Sequence, residues 1–241
     1  MAQRDATSNL VDLNLALVRT GFMTLLPISL MVLAFGAAFG LAAAQKGMGP
    51  LDAMLMSAIV FAGVAQFAAL DTWGTQVPLI TLAATVFAIN ARHILMGASL
   101  YPWLRHAPAT QRYGVMVLVS DVNWAMAIQA LGKGQQAMGI LLGGGLALWT
   151  FWIVATWLGL VFGASISDGK AWGIDMVMGC FLWAMTLSGP RNLRIIMTWL
   201  VAAVASVLAF YFLPTNTHVM VGALAGGILG ALWPEEVRHV D

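Results

Sequence analysis

Apolar residues run along this chain in stretches of roughly 20, the length a helix needs to cross a bilayer, with short polar clusters between them. The pattern predicts helices over 22–44, 51–70, 77–104, 113–131, 137–163, 172–188 and 193–213, and a shorter one over 219–233. Two of these stretches are interrupted. Asn90, Arg92 and His93 sit inside the third, and Pro214, Asn216 and His218 separate the last two. The expected architecture is an all-α polytopic membrane protein with about seven to eight transmembrane segments and helices broken at 90–93 and 214–218.

The two breaks resemble each other. NARHILMGA at 90–98 is echoed by NTHVMVGA at 216–223, each with Asn and His before an apolar turn ending in Gly-Ala. Upstream of each, Phe39 and Phe162 are followed by Gly, small residues, a polar loop, an acidic residue (Asp52, Asp175) and a Met-rich run. This order of features suggests one transmembrane domain over 1–241, with repeat halves at about 20–104 and 145–233 joined by a linking helix at 113–131. Duplicated halves with polar breaks are a transporter pattern, in which substrate binds at the breaks.

Composition narrows the class. The chain of 241 residues is 61% hydrophobic and 9% charged, against about 25% charged in soluble domains; its mean hydropathy is +0.87. So few charges cannot cover a water-facing surface. Net charge is +1 with no basic block, so no nucleic-acid partner is expected. Cys180 is the single cysteine, which excludes an intrachain disulfide, and in its apolar stretch it reads as a small buried hydrophobe. The first 20 residues hold Arg4, Asp5, Asp12 and Arg19 and no clean apolar run, so the first apolar segment is expected to act as its own insertion signal. No catalytic constellation, metal-ligand spacing or phosphate loop is present, so neither an enzyme nor a cofactor or metal is expected. Orientation is weakly marked. With 77–104 as one crossing, Arg4, Arg19, Lys133, Arg191, Arg194 and Arg238 fall on the cytoplasmic side; with a re-entrant pair there, that bias vanishes.

The residues that could carry chemistry are the polar ones inside apolar stretches. Arg92 lies about 15 residues from one end of its segment and about 12 from the other, near mid-span at ~1.5 Å per residue. A charge there is paired, solvated or functional, or it snorkels to a membrane face. Arginine suits a carboxylate and His93 can change protonation, so together they could hold an anionic group and sense a proton. Asp121 could carry a proton or pair with Arg92. Gln66 reads chiefly as an interhelical hydrogen-bonding residue, and Asn90 as one that shapes the break or contacts substrate. Asn216 and His218 are the second-half counterparts, with an interfacial loop as their plainer reading. Asp52 and Asp175 fall at helix starts and read as capping residues. The glycines of FGAAFG, GGG and AGGILG read as close-approach points between helices, and the tryptophans and methionines as lipid-facing, belt or packing residues.

The segments MSAIVFAGVAQFAAL (56–70), INARHILMGASLYPWL (89–104) and SDVNWAM (120–126) resemble the AzlC-type branched-chain amino acid permease family. That family pairs a Phe-Ala-Gly-x-Ala-Gln-Phe segment with Asn-x-Arg-His, then Asp-Glu in the next helix. Here Asp121 is followed by Val122, so no role of that glutamate carries over. The resemblance implies a secondary exporter of leucine, isoleucine and valine, in some members also methionine, in the bacterial cytoplasmic (inner) membrane. It also implies a small AzlD-type membrane partner. A zwitterionic substrate needs a carboxylate partner, which Arg92 or a half-helix N-terminus could supply. Its amine needs an acceptor, which Asp121, Gln66 or unwound carbonyls could supply, and its side chain an apolar slot. The competing readings are a non-transporting assembly subunit of a membrane complex and an exporter of another small amphipathic solute.

Overall fold

A computed structural model describes residues 13–71, 73–74, 79–163, 176, 180, 183, 192–213 and 217–233. The described chain is helical, with no strand among the described residues. In chain order the helices are α1 (Leu15–Gln45), α2 (Pro50–Val60), α3 (Gly63–Asp71), α4 (Leu79–Asn90), α5 (Arg92–Leu104), α6 (Ala109–Met116), α7 (Asp121–Gly132), α8 (Met138–Gly163), α9 (Leu193–Phe212) and α10 (Thr217–Leu232). Three of them, α1, α8 and α9, are long and apolar enough to cross a membrane. Large apolar side chains such as Ile80 and Phe212 are more than four-fifths exposed, as expected where lipid replaces water as the surrounding medium.

The centre of the fold is the pair α1 and α8. Their contacts rise together along both chains: Val18 meets Gly143, Gly36 meets Trp152 and Ala155, and Leu41 meets Gly163. The two helices therefore run parallel. Their backbones approach so closely that a Cβ at Gly36 would lie 2.7 Å from that of Ala155, and one at Gly40, Gly143 or Gly159 would strike a backbone carbonyl of the other helix. Without a hydrophobic driving force in lipid, such small-residue contact is what holds helices together. The glycines of FGAAFG and GGG thus have the packing role their sequence suggests. Those at 222 and 226 do the same between α10 and α9.

The structure departs from the sequence pattern in two helices. The stretch 51–70 is not continuous: α2 ends at Val60, Phe61 adopts the left-handed conformation (φ 43°, ψ 43°), and α3 starts at Gly63. Phe61 is the one non-glycine residue with positive φ among the described residues, a costly conformation for a bulky side chain. The stretch 113–131 is likewise split, between Met116 and Asp121. Asn123 explains the second break. Its Oδ1 accepts from the Ser120 N–H (2.6 Å) and hydroxyl (2.9 Å), as in a capping box. Its Nδ2 donates to the carbonyls of Leu118 and Leu141, each at 2.9 Å, tying the break to α8. Apolar hydropathy is blind to both interruptions, because Phe61, Ala62 and Val117 to Val119 are as apolar as a helix interior.

The expected break at 90–93 is present but mild. Ala91 keeps near-helical angles (φ −55°, ψ −27°) between α4 and α5. The halves of α2/α3 and of α4/α5 meet near their shared breaks and do not pack along their lengths, so neither pair is a side-by-side hairpin. By contrast α9 and α10 pack extensively on each other, and α10 also meets α4. Asp52 lies in the first turn of α2 behind Pro50 at its start, as a capping carboxylate should. Cys180 is exposed rather than buried. Pro214, Asn216, Asp175, most of the helix expected over 172–188 and the terminal stretches 1–12 and 234–241 lie outside the described residues.

Candidate functional site

The breaks converge. A cavity of about 110 Å³ is lined by Phe61 to Val64 at the α2/α3 break, Arg92 and His93 at the start of α5, and Ser120 to Val122 at the start of α7; Val32, Phe35, Leu148 and Trp152 from α1 and α8 close it. A single water needs roughly 10–15 Å³ by the same measure, so the space suits a small molecule. Because α3 and α7 both begin at this cavity, their free N–H groups and dipole ends favour negative charge there.

The polar wall is built around an ion pair. Arg92 Nη1 lies 3.0 Å from Asp121 Oδ2, with side chains 39% and 32% exposed. The guanidinium is only partly used: its buried Nε has no partner among the described residues. The adjacent His93 donates from Nδ1 to the Asn90 carbonyl at 3.1 Å, which bridges the α4/α5 turn. The Asn90 Oδ1 is buried and has no partner among the described residues. Asn90 is not among the residues that line the cavity.

Gln66 occupies a different place. It is fully buried on α3, one turn beyond the break, and belongs to a closed ring of hydrogen bonds. The Trp152 indole N–H donates to Gln66 Oε1 (3.1 Å), and Gln66 Nε2 donates to the Ser57 hydroxyl (3.1 Å). Ser57 lies 2.9 Å from the Thr156 hydroxyl, which itself donates to the Trp152 carbonyl (2.9 Å). Since the Thr156 proton is committed to that carbonyl, Ser57 is the donor to Thr156, and all four bonds run in one direction. This is the interhelical role that was the plainer reading of Gln66, and it joins α2, α3 and α8 without exposing the amide to the cavity.

His218 is not brought to this site. It opens α10, its carbonyl accepts from Ser206 on α9 (3.0 Å), and its ring packs edge-on against Phe210 at 5.5 Å. Asn216 lies outside the described residues. The cavity thus gathers three of the sequence-derived candidates, Arg92, His93 and Asp121. It adds Phe35, Phe61, Gly63, Ser120 and Trp152, which hydropathy did not single out. A signal for Ser120 was present in its spacing from Asn123, which fits a helix start. No cluster of metal-ligating side chains occurs among the described residues.

Known proteins give the same direction. Residues 27–166 match the family described as AzlC protein, and this stretch contains every residue of the cavity. The chain is 26% identical over 216 residues to inner membrane protein YgaZ of Escherichia coli (strain K12), covering 86% of this chain and 85% of that one. It is 26% identical to proteins named uncharacterized membrane protein from Archaeoglobus fulgidus, over 92% of this chain and 97% of the relative, and from Helicobacter pylori (strain J99), over 80% and 86%. No solved structure matches. With more than half its length matched, and with the apolar helices of a membrane protein, the chain belongs to the AzlC family.

Proposed function

We propose that this protein is the large subunit of a secondary transporter that exports branched-chain amino acids across the bacterial cytoplasmic membrane. The observation that carries the reading is the Arg92–Asp121 pair on the wall of a largely apolar cavity at the helix breaks. A cation and an anion 3.0 Å apart are the complement of a zwitterion. A free amino acid inserting between them would place its carboxylate on Arg92, near the α3 and α7 N-termini, and its ammonium on Asp121. A molecule with only one of these charges would leave one protein charge without a partner, which costs part of its electrostatic stabilisation even at a site about a third exposed. Val32, Phe35, Leu148 and Trp152 offer the apolar side an aliphatic side chain needs.

The helix directions support a multi-pass arrangement. Since α1 and α8 run parallel, the chain between them makes an odd number of crossings. Each of α2/α3, α4/α5 and α6/α7 spans about 22–26 residues end to end, close to the ~20 of one crossing. Three interrupted crossings meet both conditions. This places Arg19 and Lys133 on one side and Lys46, Arg105 and Arg112 on the other. Parallel first helices also fit two halves related by an axis along the membrane normal, with α1 and α8 as counterparts and the interrupted pair α6/α7 between the halves, in place of the single linking helix expected over 113–131.

The partner in this reading is a small membrane subunit of the AzlD type, and the driving force is an ion or proton gradient acting through His93 or Asp121. The test is efflux of radiolabelled leucine from preloaded cells lacking their own exporters, with this chain alone and with the small subunit. Efflux that requires both is the expected result. No efflux with both proteins present in the membrane would remove the amino-acid assignment and favour another small amphipathic solute or an assembly role.

A further inference from the structure

The Gln66 ring begins and ends on one residue. Trp152 donates from its indole at one end and accepts at its own carbonyl at the other. Chains of aligned hydrogen bonds reinforce one another in a low-dielectric interior. Trp152 is also the residue whose ring closes the apolar side of the cavity, edge-on to Phe35 at 5.3 Å and 63°. Phe35 is in turn stacked on Phe67 at 5.2 Å, one residue after Gln66. The rings also meet the start of α3: a Cβ at Gly63 would lie 2.8 Å from Phe35 Cε1 and 2.9 Å from Trp152 Cη2.

We propose that Phe35 and Trp152 are the residues that select the substrate's side chain by size, and that Gln66 is a positioning residue that sets this selection from behind by fixing the Trp152 indole. The inference rests on the amino-acid reading above and goes beyond it, because it assigns selectivity to aromatic residues of the cavity other than the ion pair. Gln66 is fully buried and has both ends of its amide engaged. It does not line the cavity, and its amide is hydrogen-bonded to the lining side chain of Trp152. Releasing the indole, or shortening it, lets the wall recede and admits a larger side chain. Crowding it at Gly63 does the opposite.

The test uses the full-length protein copurified with the small subunit of the proposed complex in lipid nanodiscs. The readout is the ligand concentration that half-maximally raises its unfolding temperature, for alanine, valine, leucine and phenylalanine. In the wild type, valine and leucine are expected to bind more tightly than alanine or phenylalanine. In Trp152→Phe the ratio of phenylalanine to valine affinity should rise by about tenfold, the lower end of what a methylene-sized change in an apolar pocket produces. Gln66→Leu should move the same ratio in the same direction, and Gln66→Leu/Trp152→Phe should do no more than Trp152→Phe alone. Gly63→Ala should lower the ratio. Should Trp152→Phe not yield folded protein, Phe35→Leu tests the same wall and should also raise the ratio. An unchanged ratio in these wall variants overturns the selectivity assignment, even if leucine is bound and exported. Additive effects in the double variant, or equal weakening of all four ligands by Gln66→Leu, overturn the positioning role. A wild type that no amino acid stabilises overturns the underlying reading and this inference with it.

Discussion

Arg92 on α5 and Asp121 on α7 form an ion pair 3.0 Å long between the starts of two helices. Each is held by a local feature: Arg92 follows the turn at Ala91, which the His93 ring bridges to Asn90, and Asp121 follows the Ser120–Asn123 cap. The pair is about a third exposed, so it is accessible to the substrate proposed above. Asp121→Asn keeps the shape and removes the charge. Leucine affinity in this variant should fall by several-fold, a modest loss because the pair is about a third exposed and solvent screens it. Leucinamide, which keeps the amine and lacks the carboxylate, should compete poorly with leucine for the wild type. Competition assays on membranes containing matched amounts of each variant check both.

Asn123 should be a stability residue. It is fully buried, and its amide holds Ser120, Leu118 and Leu141 together. Asn123→Ala removes a helix cap and the amide donor to the Leu118 carbonyl, at about 1–3 kcal/mol for a buried group left unpaired, and also unties the break from the Leu141 carbonyl on α8. The unfolding temperature of the detergent-solubilised protein should fall clearly. Asn123→Asp should fare no better, because a carboxylate cannot donate to the two carbonyls.

The parallel contact of α1 and α8 gives a graded glycine test. Gly159→Leu and Gly40→Leu should prevent folded protein from accumulating, since the added atoms meet backbone of the opposite helix, which cannot swing away. Gly227→Ala should be tolerated, because nothing lies within 4 Å of the added carbon. Fluorescence-detected size-exclusion profiles of tagged variants distinguish the two outcomes.

The parity of crossings is open to direct measurement. In a Cys180→Ala background, Lys46→Cys and Arg112→Cys should react with an impermeant thiol reagent from one side of the membrane. Leu13→Cys and Lys133→Cys should react from the other. Reactivity of Arg112→Cys and Lys133→Cys from the same face would mean that α6 and α7 return without crossing.

Much of this was legible in the sequence, and what was not has a physical cause. Charge scarcity and apolar run length mark the membrane class, because a bilayer demands both. Arg92, His93 and Asp121 stand out because charge in an apolar run needs a reason, and the fold brings them to one cavity. The break at Phe61 was hidden, since a break made of apolar residues leaves no trace in hydropathy, and the one at 117–120 was marked only by the spacing of Ser120 and Asn123. Gln66 was visible as polar, but its engagement with Ser57, Trp152 and Thr156 depends on three helices meeting. His218 carries the same sequence echo as His93 and yet packs on Phe210 at 5.5 Å, because α9 and α10 form a packed pair where α4 and α5 run end to end.

The central claim, that the cavity at the Arg92–Asp121 pair is the transport site, is tested most directly by leucine efflux through Arg92→Ala. The variant would be co-expressed with the small subunit and matched to wild type in membrane abundance and in copurification of the two chains. Loss of efflux with the complex intact is the expected result. Efflux at the wild-type rate would contradict the account and move the substrate path away from this cavity.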